Sequence, residues 1–169
     1  MAPAVVFVGP PGAGKTTVGQ AVAALLGVEF ADTDHLVEAK AGKPIPEIFI
    51  DDGEPEFRRF EREAIAESLE TFDGVLALGG GAIMDVGTRD ALRRHTVVFL
   101  SVELSDAVKR VGLGAGRPLL SVNPRATLKY LMDQRRPLYE SVATHTVRTS
   151  GRTPEEISAE LADLLKVAR

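Results

Sequence analysis

The stretch Gly9-Pro10-Pro11-Gly12-Ala13-Gly14-Lys15-Thr16 sets three glycines and a lysine between two regular elements. Ala4 to Val8 is a short apolar run without alternation, the pattern of a strand buried on both faces. From Lys15 to Leu26, apolar residues recur at Val18, Ala21, Val22 and Leu25, one face of a helix, and Gly27 then acts as a stop. The octapeptide satisfies the pattern G-x-x-x-x-G-K-[ST] at every fixed position and in the strand–loop–helix context that the pattern requires. Glycines allow successive backbone N–H groups to turn inward around a phosphate. The helix N-terminus adds unpaired donors and a partial positive charge. Gly12, Ala13, Gly14, Lys15, Thr16 and Thr17 are therefore candidate binding residues for ATP or GTP. Lys15 is expected to reach the β- and γ-phosphates, and the Thr16 hydroxyl to enter the shell of a Mg²⁺ ion.

Strand and helix signals alternate along the rest of the chain. "VEFAD" reads as a second strand, followed by a helix from about Asp34 and a broken helical region through Pro44 and Pro46. A charged helix from about Glu56 to Glu70 carries Phe57, Phe60, Ala64 and Ile65 on one face. "GVLALGGG" is a third strand ending in glycines, "TVVFLSV" a fourth and "HTVRT" a weaker fifth. "TPEEISAELADLLK" reads as a closing helix, with Thr153 as N-cap, Pro154 at the first helical position and Glu156 completing a capping box. This order predicts a three-layer α/β/α fold around a five-stranded parallel sheet, in one domain spanning residues 1–169. "VGLGAGRPLLSVNP", rich in glycine and lacking periodicity, reads as a mobile lid over about 112–124.

Bulk composition narrows the function classes. The chain has 169 residues, 44% of them hydrophobic and 26% charged, enough to bury a core. Its net charge of −4 argues against a general nucleic-acid binder, which needs a basic face. The lack of cysteine excludes disulfides and thiolate metal sites and fits a reducing cytoplasm. The N-terminal region has no basic run before its apolar residues, and these are too few to cross a bilayer, so neither a signal peptide nor a membrane segment is expected.

Three further clusters could carry chemistry. Asp32-Thr33-Asp34 stands at the carboxyl end of the second strand, on the rim where doubly wound sheets bind ligands. Its carboxylates suit a magnesium site and a base or orienter for an incoming hydroxyl. Taken alone, though, these residues fit better as a cap, Asp32 or Asp34, on the next helix. Gly79-Gly80-Gly81 ends the third strand and either admits a ligand close to the backbone or only turns the chain. Arginines stand at Arg58, Arg117, Arg135 and Arg136, and guanidinium groups match carboxylates and phosphates in bidentate geometry. Arg117 lies in the glycine-rich lid, the usual place for an arginine that covers a transferring phosphoryl group. Arg59 and Arg62 read as a solvated helix face. "GLGAGR" has no strand before it and is not a dinucleotide fingerprint. His35, His95 and His145 show no ligand spacing.

Together, "GPPGAGKT", "DTD", "DGEPEFRRFE", "LGGGA", "GRPLL" and "RRPLY" resemble the shikimate kinase family, small P-loop kinases of the nucleoside-monophosphate-kinase fold, across nearly the whole chain. The resemblance implies that Asp34, Arg58, Gly80, Gly81 and Arg135 bind shikimate, within an acceptor region over about 34–62 and beyond it. It also implies that Glu61 holds Arg58 and that Asp32 supports Mg²⁺ through water. Arg117 then contacts the transferring phosphate, while Arg110 and Pro154 flank the adenine. The family is usually monomeric, and a monomer is expected here.

The chemistry of the acceptor fits these residues. One carboxylate calls for arginines on rigid elements, and hydroxyls call for a carboxylate acceptor and open backbone. The implied reaction moves the γ-phosphoryl group of ATP to the 3-hydroxyl of shikimate, with Lys15, Asp34 and Arg117 as the catalytic residues. A gluconate-type or nucleotide kinase is the nearest enzymatic rival. A nucleotide-binding module without a metabolite acceptor is the rival from another class.

Overall fold

The computed structural model of the protein describes residues 2–111 and 124–168. Five parallel strands form one sheet in the order β2-β3-β1-β4-β5: β1 (Val5–Val8), β2 (Glu29–Asp32), β3 (Gly74–Ala77), β4 (Val97–Ser101) and β5 (His145–Arg148). Phe7 of β1 lies opposite Ala77 of β3 and Val98 of β4, which sets the register of the centre. Because every strand runs the same way, all carboxyl ends share one rim. On that rim β3 stands between β1 and β2, so the segments leaving these three strands are neighbours.

The helices are α1 (Lys15–Leu26), α2 (Thr33–Ala41), α3 (Ile45–Asp51), α4 (Glu54–Thr71), α5 (Val86–Leu92), α6 (Leu104–Val111), α7 (Pro124–Val142) and α8 (Pro154–Ala168). A short 3₁₀ turn, Ala82–Met84, follows the glycines after β3. The period of two along each central strand divides its side chains between two cores. Val5, Phe7, Val75, Ala77, Val98 and Leu100 face α1 and α8. Val6, Val8, Leu76, Leu78, Val97 and Phe99 face Ile65 and Leu69 of α4, Leu92 of α5 and Tyr139 of α7. Both layers are apolar, which explains why these strands read as unbroken hydrophobic runs. A smaller core of Val37, Ile48, Phe57 and Ala64 joins α2, α3 and α4.

The observed elements depart from the sequence reading in three places. Helix α4 starts at Glu54 rather than Glu56, because Pro55 falls in the first turn, where a missing N–H costs nothing. The broken region around Pro44 and Pro46 is the discrete helix α3, for the same reason. Helices α5, α6 and α7 were not expected from the sequence. In α7 the interior Pro137 hides the helical pattern, and tertiary packing overrides its unfavourable propensity. The closing helix starts as expected, with the Glu156 N–H donating to Thr153 Oγ1 at 3.1 Å. The reading of 112–124 as a lid, and Arg117 with it, lies outside the described residues except for Pro124.

Leu161 of α8 is fully buried in the core shared with α1. Leu161→Ala is expected to cost about 2–5 kcal/mol of stability through lost transfer energy and a residual cavity. Urea unfolding of both proteins measures this, as a lower midpoint at unchanged slope.

Candidate active site

The loop after β1 is shaped by backbone conformations that only glycine adopts readily. Gly12 and Gly14 have φ of 83° and 92°, and Gly14 is the N-cap of α1. Helix α1 therefore starts at Lys15 with its N-terminus aimed at the loop. Lys15 Nζ donates to the carbonyl oxygens of Gly9 at 2.7 Å and Pro10 at 3.0 Å, which holds the ammonium group across the loop. Gly12, Gly14, Lys15, Thr16 and Thr17 line a cavity of about 370 Å³. Ala13 does not line it: its side chain is buried in the core beside α1, and its N–H donates to the Pro10 carbonyl at 3.2 Å.

Asp32 ends β2 and serves two purposes at once. Its Oδ1 accepts the Asp34 N–H at 2.9 Å, capping α2, and its Oδ2 accepts the Thr16 hydroxyl at 3.1 Å. Capping and a role beside the phosphate loop are thus compatible, because a carboxylate has two oxygens to share. Asp34 lies one residue into α2 and lines both the loop cavity and a second cavity of about 390 Å³. Pro11, Asp32, Gly79 and Gly80 are common to both as well, so the two cavities share a wall.

The second cavity is built by α2, α3, α4 and the end of β3, with Arg135 reaching in from α7. Arg58 NH1 donates to Glu61 Oε1 at 2.8 Å, one helical turn along α4. Glu61 is almost wholly buried. Burial raises its pKa above the ordinary glutamate value of 4.5 and the neighbouring Asp34 charge adds to this, while Arg58 and Arg135 oppose the rise. Glu61 Oε2 and Arg135 Nε are buried and have no hydrogen-bond partner among the described residues.

The three glycines after β3 are explained by what touches them. A Cβ on Gly79 would stand 2.7 Å from Asp34 Oδ1 and 3.0 Å from Glu61 Oε2. One on Gly80 would stand 3.0 Å from Pro11 Cδ, and one on Gly81 2.5 Å from an Arg58 nitrogen. The backbone is therefore in contact with the phosphate loop and with Asp34, Glu61 and Arg58 of the second cavity. Side chains that the motifs did not single out hold it there. Thr33 Oγ1, fully buried, accepts the Gly79 N–H at 3.1 Å, and the Tyr139 hydroxyl donates to the Gly80 carbonyl at 2.6 Å. Thr33 sits between the two aspartates and Tyr139 ends "RRPLY", so the signal for each was its place inside a recognised motif.

Other expected residues fall as follows. Arg110 of α6 lines the loop cavity and donates to the Gly12 carbonyl at 3.0 Å and to Thr149 Oγ1 at 3.2 Å. Pro154 is exposed at the start of α8 and lines neither cavity. Arg136 points away from the second cavity and pairs with Glu140 at 3.0 Å on the exposed side of α7. Arg59 and Arg62 are exposed, with Arg59 paired to Glu56 and Glu63. His35 lines the second cavity, which the sequence reading did not foresee. A larger cavity of about 480 Å³ opens between the ends of β4 and β5 and α7. Its cations Lys129, Arg136 and Arg148 are each paired with an acid, which leaves no uncompensated charge for a polyphosphate.

A glycine loop and helix N-terminus beside β1, joined through a shared wall to a cavity lined by arginines and carboxylates, define a P-loop phosphotransferase with a small acidic acceptor. The model of the shikimate kinase family matches residues 11–166. A shikimate kinase from Salinispora arenicola is 70% identical over 98% of this chain and 99% of its own length. One from Thermobifida fusca is 54% identical over 98% of this chain and 96% of its own. A solved shikimate kinase from Acinetobacter baumannii, in complex with shikimate, superposes with a TM-score of 0.93 at 38% identity and covers 100% of this chain and 95% of that one. The chain belongs to the shikimate kinase family.

The buried Glu61 has a thermodynamic signature. Its folded pKa lies above its unfolded value, so the folded state binds the extra proton in the acid range and stability falls as pH rises through that interval. Glu61→Gln removes the titration. The stability of the unmodified protein minus that of Glu61→Gln should therefore be largest below the ordinary glutamate pKa and decline as pH passes the raised one. Thermal or urea unfolding of both proteins across the acid range tests the sign.

Proposed function

We infer that the protein transfers the γ-phosphoryl group of ATP to the 3-hydroxyl of shikimate, giving shikimate 3-phosphate and ADP on the way to chorismate and the aromatic amino acids. The shared wall carries this reading: Asp34, Gly79 and Gly80 border both the loop cavity and the arginine-lined cavity. A nucleotide in one and a polyol acid in the other meet there.

The residues divide the work by their chemistry. Gly12, Gly14, Lys15, Thr16 and Thr17 take the phosphates, with Ala13 contributing only its backbone. Arg58 and Arg135 take the shikimate carboxylate. The buried Nε of Arg135, without a hydrogen-bond partner among the described residues, suits such an anion. Asp34 orients the acceptor hydroxyl and takes its proton as the new oxygen–phosphorus bond forms. The bond from the γ-phosphorus to the bridging oxygen breaks, and that electron pair leaves on ADP. Gly80 and Gly81 bring backbone up to the acceptor. Arg110 and Pro154 border the adenine, Arg110 from beside Thr149. Arg117 is assigned to the transferring phosphoryl group from its place in the sequence, the segment of about 112–124 around it as the lid, and the helical region of about 34–62 as the acceptor-binding part.

The donor set fits Mg²⁺. Thr16 Oγ1 and Asp32 Oδ2 stand together at the loop cavity, 3.1 Å apart, and both are hard oxygen ligands. Among the described residues no group of three or more His, Cys, Asp or Glu could hold a metal, and the phosphates and water would supply the remaining ligands. Thr16 would bind the ion directly and Asp32 through water. Bound there, the ion neutralises charge on the β- and γ-phosphates. Action as a monomer is supported by the fact that one chain lines both cavities. A cytoplasmic site of action is supported by the cysteine-free composition. No helix among the described residues is long and apolar enough to cross a membrane.

A coupled assay of ADP release, with and without shikimate, tests the reaction: release should depend on shikimate and not on gluconate. Asp34→Asn should lower kcat by about 10²–10⁴-fold, with little change in nucleotide affinity. Loss of nucleotide affinity with turnover preserved would instead make Asp34 part of the nucleotide site.

Arg58→Ala should raise the KM for shikimate strongly and leave that for ATP nearly unchanged, since Arg58 lines only the acceptor cavity. Removing one partner of a buried charge pair costs about 2–5 kcal/mol. Steady-state kinetics with each substrate varied in turn measures the split.

A further inference from the structure

Tyr139 is not used by the reaction as derived above. It is fully buried, and its ring stacks on Phe99 of β4 with centroids 5.0 Å apart and an interplanar angle of 26°. Packing of this kind would be served as well by phenylalanine. Its hydroxyl, however, donates to the Gly80 carbonyl at 2.6 Å, across 59 positions of sequence. Gly80 is part of the lining common to the two cavities and lies against Pro11 of the phosphate loop. Tyr139 also lies one turn after Arg135 on α7, so the two side chains leave the same helix face.

We propose that the Tyr139 hydroxyl is a positioning residue for the acceptor, fixing the Gly80 peptide against Pro11 and tying it to the helix that carries Arg135. The hydroxyl sets the distance between two acceptor contacts that come from different elements, the backbone after β3 and a guanidinium from α7. Burial raises its pKa to about 12, so the phenol keeps its proton and remains a donor across the working range of an enzyme. The Arg135 guanidinium lies close enough to lower that value in turn, which places Arg135, Tyr139 and Gly80 in one connected group.

The inference rests on shikimate being the acceptor. Shikimate-dependent ADP release by the unmodified protein tests that reading alone, whereas the ratio of variant to unmodified kinetics tests this one. Tyr139→Phe keeps the ring and its stack and removes only the hydroxyl. Loss of one neutral hydrogen bond corresponds to about a two- to tenfold change in an equilibrium constant. The KM for shikimate should rise by that factor, while the KM for ATP stays within about twofold. Phe99→Leu serves as the control, because it loosens the same stack and leaves the hydroxyl in place. It should lower Tm without moving the KM for shikimate. An unchanged shikimate KM in Tyr139→Phe overturns the proposal, whatever happens to its Tm. So does an equal rise in both KM values, or the same shikimate-selective rise in Phe99→Leu, since either would make the effect one of packing.

Discussion

The site depends on a backbone that carries no side chains. Gly79, Gly80 and Gly81 leave β3 in contact with Asp34, Glu61, Pro11 and Arg58, and a methyl group at any of the three would meet one of these within about 3 Å. Sheet order makes this contact possible. Strand β3 lies between β1 and β2, so the phosphate loop, the aspartate pair and the glycines leave adjacent strands on the same rim. The loop cavity and the second cavity then share Pro11, Asp32, Asp34, Gly79 and Gly80.

Charge is arranged around the same wall. Glu61 sits almost wholly out of water between Arg58 and Arg135, with the Asp34 carboxylate nearby. Its burial carries a desolvation cost that the ion pair only partly offsets, so the pair is poor evidence of stability. Its effect is geometric. Glu61 accepts a 2.8 Å hydrogen bond from Arg58 NH1 one turn back on the same helix and so fixes the guanidinium, whose Nε also lies 3.8 Å from Glu54 Oε1. The small core of α2, α3 and α4 supports this region separately from the two large cores on the sheet. The acceptor side thus has its own packing, whereas the phosphate loop is anchored directly on β1 and α1.

Helix α7 links these parts. Its first half packs with the core that holds α1 and α8, through Leu128, and its second half with the opposite core, through Tyr139 and Val142. Crossing from one core to the other, it carries Arg135 to the second cavity and Tyr139 to Gly80. The interior Pro137 forfeits one helical hydrogen bond, and the packing of Leu128, Tyr139 and Val142 into the two cores outweighs that local loss.

Much was legible in local sequence because local rules acted alone there. The phosphate loop needs glycines in positive-φ conformations directly before a helix, and only a few patterns provide them. The parallel sheet followed from unbroken apolar runs separated by helical periods. The last helix announced itself through Thr153 and Pro154. The pairing of Arg58 with Glu61, one turn apart, came from the family resemblance and is present in the structure. What local sequence did not carry were relations across the chain. Nothing near Gly80 says that Tyr139 will donate to it, and nothing near Thr33 says that it will accept from Gly79. The resemblance named Arg135, but that it lines the second cavity while Arg136 turns outward to Glu140 is set by the helical phase of α7. The side chain of Ala13 turned into the core because the loop closes on the Pro10 carbonyl. Periodicity and turn chemistry are properties of neighbouring residues and are written in order along the chain. Close approach between segments is set by sheet order and packing, which exist only once the whole sheet has formed.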